Sequence, residues 1–405
     1  MKFTIATSVL LALLPYVALG NVAHSRSGVQ GAAYFLTNDP TGNYIVTNTI
    51  GPDGHLTVHS AVYAGGKGLG IPSSLAPSDG LFSQGSIQVV GNILYTVNAG
   101  SNTIAAFEIN KSDATKLTPI GKPVNSGGEF PVSVAVSQKT GLVCALNAGA
   151  VNGVSCYKLT PGGLVPVPNT RRIVGLTQTT PPNNQPGPNG LSHVIFNEAE
   201  TQVLVAIREP SGGAGRLAIW DINAKTGALT QNYTEFVIEG AHATFGMQVL
   251  PGKNAVLASD PAIGYEIFDF NTKRNKTAPY NITGQVATCW ATYQEKTGNV
   301  FLIDSLLPRI SEVWVDKNLN SGLIKNYALD NATQALDSAI ATVNGQDYLY
   351  VLGAVTQNID VFWLKAPGAA TNVQHLLFTD PLAKLKIPQD SKHIQGMAIY
   401  LTGSW

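Results

Sequence analysis

The sequence predicts an all-β fold, a seven-bladed β-propeller whose ring is closed by a C-terminal inner strand joining the N-terminal blade. Three observations predict it. A hairpin pattern recurs along the chain, each copy but the first is preceded by one more β-rich run, and the run missing from the first copy has its match at the far end of the chain. A repeat of this period with room for four strands per unit reads as propeller blades.

The hairpin is clearest at residues 91–109, GNILYTVNAGSNTIAAFEI, where runs rich in β-branched and aromatic residues flank the turn cluster NAGSN. Forty-nine residues on, GLVCALNAGAVNGVSCYKL repeats it, with Asn147 in the place of Asn98. Seven copies can be read, 44 to 61 residues apart, their first strands ending near Asn38, Asn98, Asn147, Arg208, Asp260, Asp304 and Leu352. Their second strands fall at 44–47, 104–107, 154–157, 217–220, 265–268, 311–315 and 359–363. The strands expected to line the channel precede each hairpin, at 86–90, 132–137, 193–196, 245–250, 289–293 and 338–342. For the first blade this strand comes from 394–400, IQGMAIY, which resembles SQGSIQV at 83–89; pairing it there removes an open sheet edge. Two long connections, 64–81 and 170–190, are rich in Gly, Pro, Ser and Asn and read as loops on the face where the channel opens.

Residues 1–20 read as a secretory signal. Lys2 supplies the n-region charge, 3–19 is almost wholly apolar, and Ala18-Leu19-Gly20 puts small residues at −3 and −1 of a cleavage site. A retained signal anchor is the competing reading. The mature chain, one propeller domain over 21–405, is expected to be a secreted monomer, extracellular or wall-associated, with no membrane span. Five sequons agree with secretion, at Asn110, Asn232, Asn275, Asn281 and Asn331. Charged residues are only 12% of the chain, and 25 Lys and Arg balance 25 Asp and Glu, which argues against a nucleic-acid partner. Three cysteines are an odd count for an oxidising compartment. If Asn147 faces Gly153 across its hairpin, Cys144 faces Cys156 and a disulfide follows; one residue of slip puts the thiols on opposite faces and forbids it. Cys289 then remains as a small buried hydrophobe.

Motif signatures of common enzymes are missing: no G-x-S-x-G, H-E-x-x-H, C-x-x-C or G-x-x-x-x-G-K-[ST] occurs, and the glycine run at 65–70 reads as loop. The candidate site is therefore defined by topology. First-strand ends and inner-strand starts meet at one face, bringing Asn38, Asn98, Asn147, Arg208, Glu209, Asp260 and Asp304 together with Gln84, His193, Asp337 and Gln395. His193, Arg208 and Glu209 belong to one blade and form the candidate catalytic set. An imidazole can shuttle a proton, Arg can hold a carboxylate through two parallel hydrogen bonds, and Glu209 can orient either. The competing reading is a local Arg208–Glu209 ion pair beside a hydrogen-bonded strand histidine. His242, before the fifth inner strand, is a further candidate at the mouth.

SQGSI at 83–87, VNAGSNTI at 97–104, FPVSVAV at 130–136, CW at 289–290 and the seven hairpins resemble the secreted branch of the seven-bladed propeller lactonases. That family includes fungal 3-carboxymuconate cyclases and bacterial 6-phosphogluconolactonases, and the resemblance spans the mature chain. It implies a small carboxylated molecule or lactone bound at the channel mouth, without a cofactor, and hydrolysed or cyclised there. The family's P-H-P-H entry to an inner strand corresponds here to Phe130-Pro131-Val132-Ser133, without histidine. His193 lies at the next blade's entry, one residue out of phase, a position that strand alternation directs away from the channel.

Two functions follow. One is a lactonase or cycloisomerase using Arg208 for carboxylate and His193 or Glu209 as acid and base. The other is a non-catalytic, adhesin-like surface glycoprotein that holds a matrix protein or glycan, since propellers often bind without chemistry. A metal-dependent lactonase using Asp260, Asp304 and Asp337 is a minor third reading.

Overall fold

The computed structural model describes residues 28–403 apart from 74, 75, 77, 184–189, 209–212, 272–276 and 330–333. The signal segment and the sequons at Asn275 and Asn331 lie outside the described residues. Seven antiparallel sheets form the blades of a β-propeller. The inner strands of blades 2 to 7 are Ile87–Val90, Pro131–Val136, Gly190–Phe196, Met247–Leu250, Thr288–Tyr293 and Ala335–Val343; each is followed outward by three consecutive strands. Blade 1 takes its inner strand, Gln395–Leu401, from the end of the chain and pairs it with Gly31–Leu36, Gly31 opposite Leu401. A Cβ on Gly31 would stand 2.1 Å from the carbonyl oxygen of Tyr400, so the closing pair requires glycine there.

Burial is most complete in the second strands of the blades, and this explains why the hairpins were legible. The second strands are sandwiched between neighbouring blades: Gly31–Leu36, Leu142–Asn147 and Ala255–Asp260 are buried at every residue. Strands covered on both faces read as unbroken apolar runs. Outermost strands such as Leu56–Tyr63 and Ser321–Ala328 mix buried with exposed residues and carry a weaker pattern. Cys144 lies opposite Cys156 and Asn147 opposite Gly153, and a disulfide joins the two cysteines. Among the described residues the one α-helix, Thr379–Lys384, follows Phe378, whose ring packs 4.7 Å from that of Phe35. No described helix is long and apolar enough to cross a membrane.

Register shifts recur where inner strands begin, between Pro131 and Ser133, Leu191 and His193, Thr288 and Trp290, and Ala335 and Ser338. Such bulges re-aim the side chains that follow. They decide what reaches the channel.

Candidate functional site

The channel is closed by the chain itself. The connection after blade 1 starts under a clamp, with Asn98 Nδ2 donating to the carbonyl of Ala64 (3.0 Å). Asn38 Nδ2 donates to the carbonyl of Leu69 (3.0 Å). Farther on, Ser78 N–H donates to Gln334 Oε1 (2.9 Å) beside blade 7. The following residues 81–86, already at the entry of the second inner strand, are wholly buried on the axis. Ser83 Oγ donates to Val132 of blade 3 (2.8 Å), and its carbonyl accepts from Trp290 Nε1 of blade 6 (3.1 Å). Gln84 N–H donates to Ser192 of blade 4 (3.0 Å), while its amide side chain both donates to and accepts from the backbone of Ala291. These partners leave cavities at the two ends rather than an open bore.

At the end covered by the 64–86 connection lies a pocket of about 300 Å³ containing Asp79, Phe82, Arg208, Phe245, Cys289 and Ser305. Arg208 ends the second strand of blade 4 and pairs with Gly190. A Cβ at Gly190 would stand 2.2 Å from Arg208 Nη2, so glycine is what lets the guanidinium lie over that strand. The guanidinium carbon sits 5.6 Å from the centre of the Phe82 ring and 5.4 Å from that of Phe245, cation–π contacts that stabilise it in a buried place. Asp79 is 2% exposed; its Oδ1 accepts from Phe82 N–H (2.9 Å) and Gln395 Nε2 (3.3 Å). Burial pushes its carboxyl up to about 7, against the opposing pull of the Phe82 N–H, the Arg208 charge, Gln395 and the Leu81 N–H. Burial lowers Arg208 to about 10, with Asp79 acting the other way, so burial pushes both groups toward their neutral forms while each holds the other charged.

His193 sits elsewhere. Ser192 falls at the bulge, and the His193 ring comes to lie beside Gly85 at the axis, correcting the expectation that it turns away from the channel. It lines a second cavity of about 550 Å³ with Gln84, Gln88 and Gln248, and Arg208 is not in that wall. His193 pairs with Ala206, two residues down the strand from Arg208, a step of roughly 7 Å. Its Nδ1 accepts from Met247 N–H (2.9 Å), and burial holds its pKa down to about 3. A neutral imidazole with one nitrogen already engaged is no proton shuttle for the Arg208 pocket. Glu209 lies outside the described residues.

The expected ring of ligand-facing tips is instead a ring of loop clamps. Asn98 Oδ1 accepts from Asn43 Nδ2 (3.0 Å), and Asn147 accepts from Ser126 Oγ (2.5 Å) while donating to the Ser126 carbonyl (2.9 Å). Asp260 accepts from the N–H groups of His242 (2.7 Å), Ala243 (3.0 Å) and Ala262 (2.8 Å). Asp304 does the same for Val286, Ala287, Leu306 and Leu307. Buried turns must satisfy their backbone donors, and these side chains do so. His242 is half-buried in the loop that Asp260 holds, Gln395 steadies Asp79, and Asp337 lines a cavity near Gln84 at the other end. Burial, then the nearby Asp79 charge, pushes Asp337 well above the ordinary carboxylate range, opposed by the Gly85 N–H. Among the described residues no cluster of three or more His, Cys, Asp or Glu is placed to hold a metal ion. Asp79 and the two rings escaped the sequence reading. The signal available was that Asp79 is the sole carboxylate in the long 64–81 connection.

No protein-family model matches the chain. No curated protein matches it either. Solved structures do. A Bacteroides fragilis protein assigned as a 6-phosphogluconolactonase aligns with a TM-score of 0.62 at 13% identity, over 93% of this chain and 99% of that one. The periplasmic gluconolactonase of Pseudomonas aeruginosa aligns at 0.61 and 11%, over 85% and 96%. A Bacteroides uniformis protein, also assigned as a 6-phosphogluconolactonase, aligns at 0.59 and 13%, over 86% and 97%. At these identities the likeness is one of fold: the chain shares the propeller architecture of lactonase-type proteins.

Proposed function

We propose that the protein is a lactonase-like hydrolase, secreted as a glycoprotein, which opens a small lactone in the Arg208 pocket. One juxtaposition carries the reading: a buried guanidinium and a carboxyl that titrates near neutrality share a small cavity with apolar walls. Arg208 donates to the lactone carbonyl and stabilises the oxyanion that develops on attack. Asp79, as carboxylate, takes a proton from the attacking water while the water oxygen bonds to the acyl carbon. The ring C–O bond then breaks and Asp79 returns the proton to the departing alkoxide. The product forms as a hydroxy acid whose carboxyl gives up its proton to solvent, and the carboxylate stays against Arg208 until release. The lactonase-type structural relatives support this reaction class, and exposure of Asn110, Asn232 and Asn281 supports glycosylation.

Purified protein is to be assayed against a panel of γ- and δ-lactones. Arg208→Met and Asp79→Asn should each lower kcat/KM by roughly 10²–10³, whereas His193→Gln should keep kcat within about threefold of wild type. Turnover indifferent to both Arg208 and Asp79 would sink the assignment. Lactone binding without turnover would favour the non-catalytic, ligand-holding reading.

A further inference from the structure

The pocket is polar at one end and apolar over the rest. Blades 5 and 6 supply the apolar wall through Ala243, Phe245, Ala262, Val286 and Leu306. Backbone amides could still serve a polar ligand along such a wall, but here they are already engaged. The N–H groups of Ala243 and Ala262 donate to Asp260, and those of Val286 and Leu306 donate to Asp304. The two clamps thus remove the hydrogen-bond donors that hydroxyl groups would need. Among the described residues Arg208 is the only Lys or Arg in the lining, which it shares with Asp79. Ser305 Oγ, buried and without a hydrogen-bond partner among the described residues, offers one more polar contact.

Taking the hydrolase reading as its basis, we infer that the substrate is a neutral lactone on an apolar aliphatic or aromatic skeleton, bearing at most one polar substituent. Polyhydroxylated and phosphorylated sugar lactones are excluded by the same wall. Each hydroxyl moved from water onto it loses hydrogen bonds that nothing replaces. A phosphate dianion would bring two negative charges to a single guanidinium beside Asp79. A cavity of about 300 Å³ is at the small end for ligand sites and suits one or two fused rings. The chemistry is the hydrolysis above: water adds to the acyl carbon, the ring C–O bond breaks, and Arg208 holds the carboxylate formed.

The test compares kcat/KM for dihydrocoumarin with that for glucono-δ-lactone, and measures by calorimetry the binding of 3-(2-hydroxyphenyl)propionate and of gluconate. The expected result is a preference of at least about 100-fold for the aromatic lactone. Val286→Gln should shrink that preference by about tenfold; Val286 is 53% exposed, so the fold should tolerate the change. Equal or better turnover of gluconolactone overturns the apolar class and leaves the hydrolase reading standing. Binding of the aromatic acid that Arg208→Met abolishes, with no lactone turned over, supports the apolar class and overturns the hydrolase reading. Failure of both turnover and binding overturns both.

Discussion

Asp79 contributes to stability as well as to chemistry, and the two have opposite pH dependences. Burial raises the Asp79 carboxyl to about 7 in the folded protein, while the unfolded chain releases the proton near the ordinary aspartate value of 3.8. Between those values the folded state binds more protons. The stabilisation is therefore fully present below about pH 4 and is lost as pH rises through about 7. Activity should run the other way, since only the carboxylate can accept a proton from water. We expect kcat/KM to rise through pH ~7, and Asp79→Asn to abolish that limb. The same substitution should gain roughly 1–3 kcal/mol of stability relative to wild type between pH 5 and pH 8, read from urea unfolding at the two pH values. A wild-type stability profile parallel to that of Asp79→Asn would show that Asp79 titrates normally. Arg208 was legible as a candidate because it ends a recognisable strand. Asp79 was not, since its environment is set by Arg208 and Gln395, which lie 129 and 316 residues away in sequence.

At the level of the element, register decides more than composition. The hairpin of blade 3 places Cys144 opposite Cys156, and the bond closes a loop with a sequence separation of 12. Removing it with Cys144→Ser and Cys156→Ser together should cost about 3 kcal/mol. The measurement is the urea midpoint, and reductant should move wild type to the position of the double variant. An unchanged midpoint would mean that the bond closes no entropy-rich loop in the unfolded chain. The hairpin pattern left this register open beside a one-residue slip, and the structure decides for the register that brings the two cysteines together. Inner strands were less legible. Their bulges insert one or more residues at the entry, so alternation counted along the sequence misjudged His193. The polar strand ends were found at their true positions but given the wrong partners. Asn98, Asn147, Asp260 and Asp304 face backbone groups of their own loops, which a strand-by-strand reading does not supply.

On the scale of the whole molecule, two devices hold seven sheets in one ring: the terminal strand closing blade 1 and the segment filling the axis. Gly31→Val forces a side chain against the Tyr400 carbonyl and should cost about 2–4 kcal/mol. Deleting residues from 395 onward should do more, leaving Gly31–Leu36 as an open edge and Asp79 without Gln395. Size-exclusion chromatography and thermal unfolding would register this as association and loss of a cooperative transition; a monomeric protein of unchanged melting temperature would contradict it. The sequence by itself determined the all-β class, the count of blades and the origin of the closing strand. Each of these follows from short apolar runs whose burial on both faces is written locally in β-branched and aromatic residues. Only the tertiary structure decided the site. The connection over 64–86 has no period of its own, and its path is fixed by hydrogen bonds to blades far apart in sequence. That path brings Asp79 to Arg208 and separates Arg208 from His193, because the axis is where every blade converges and where one filled segment divides the space in two.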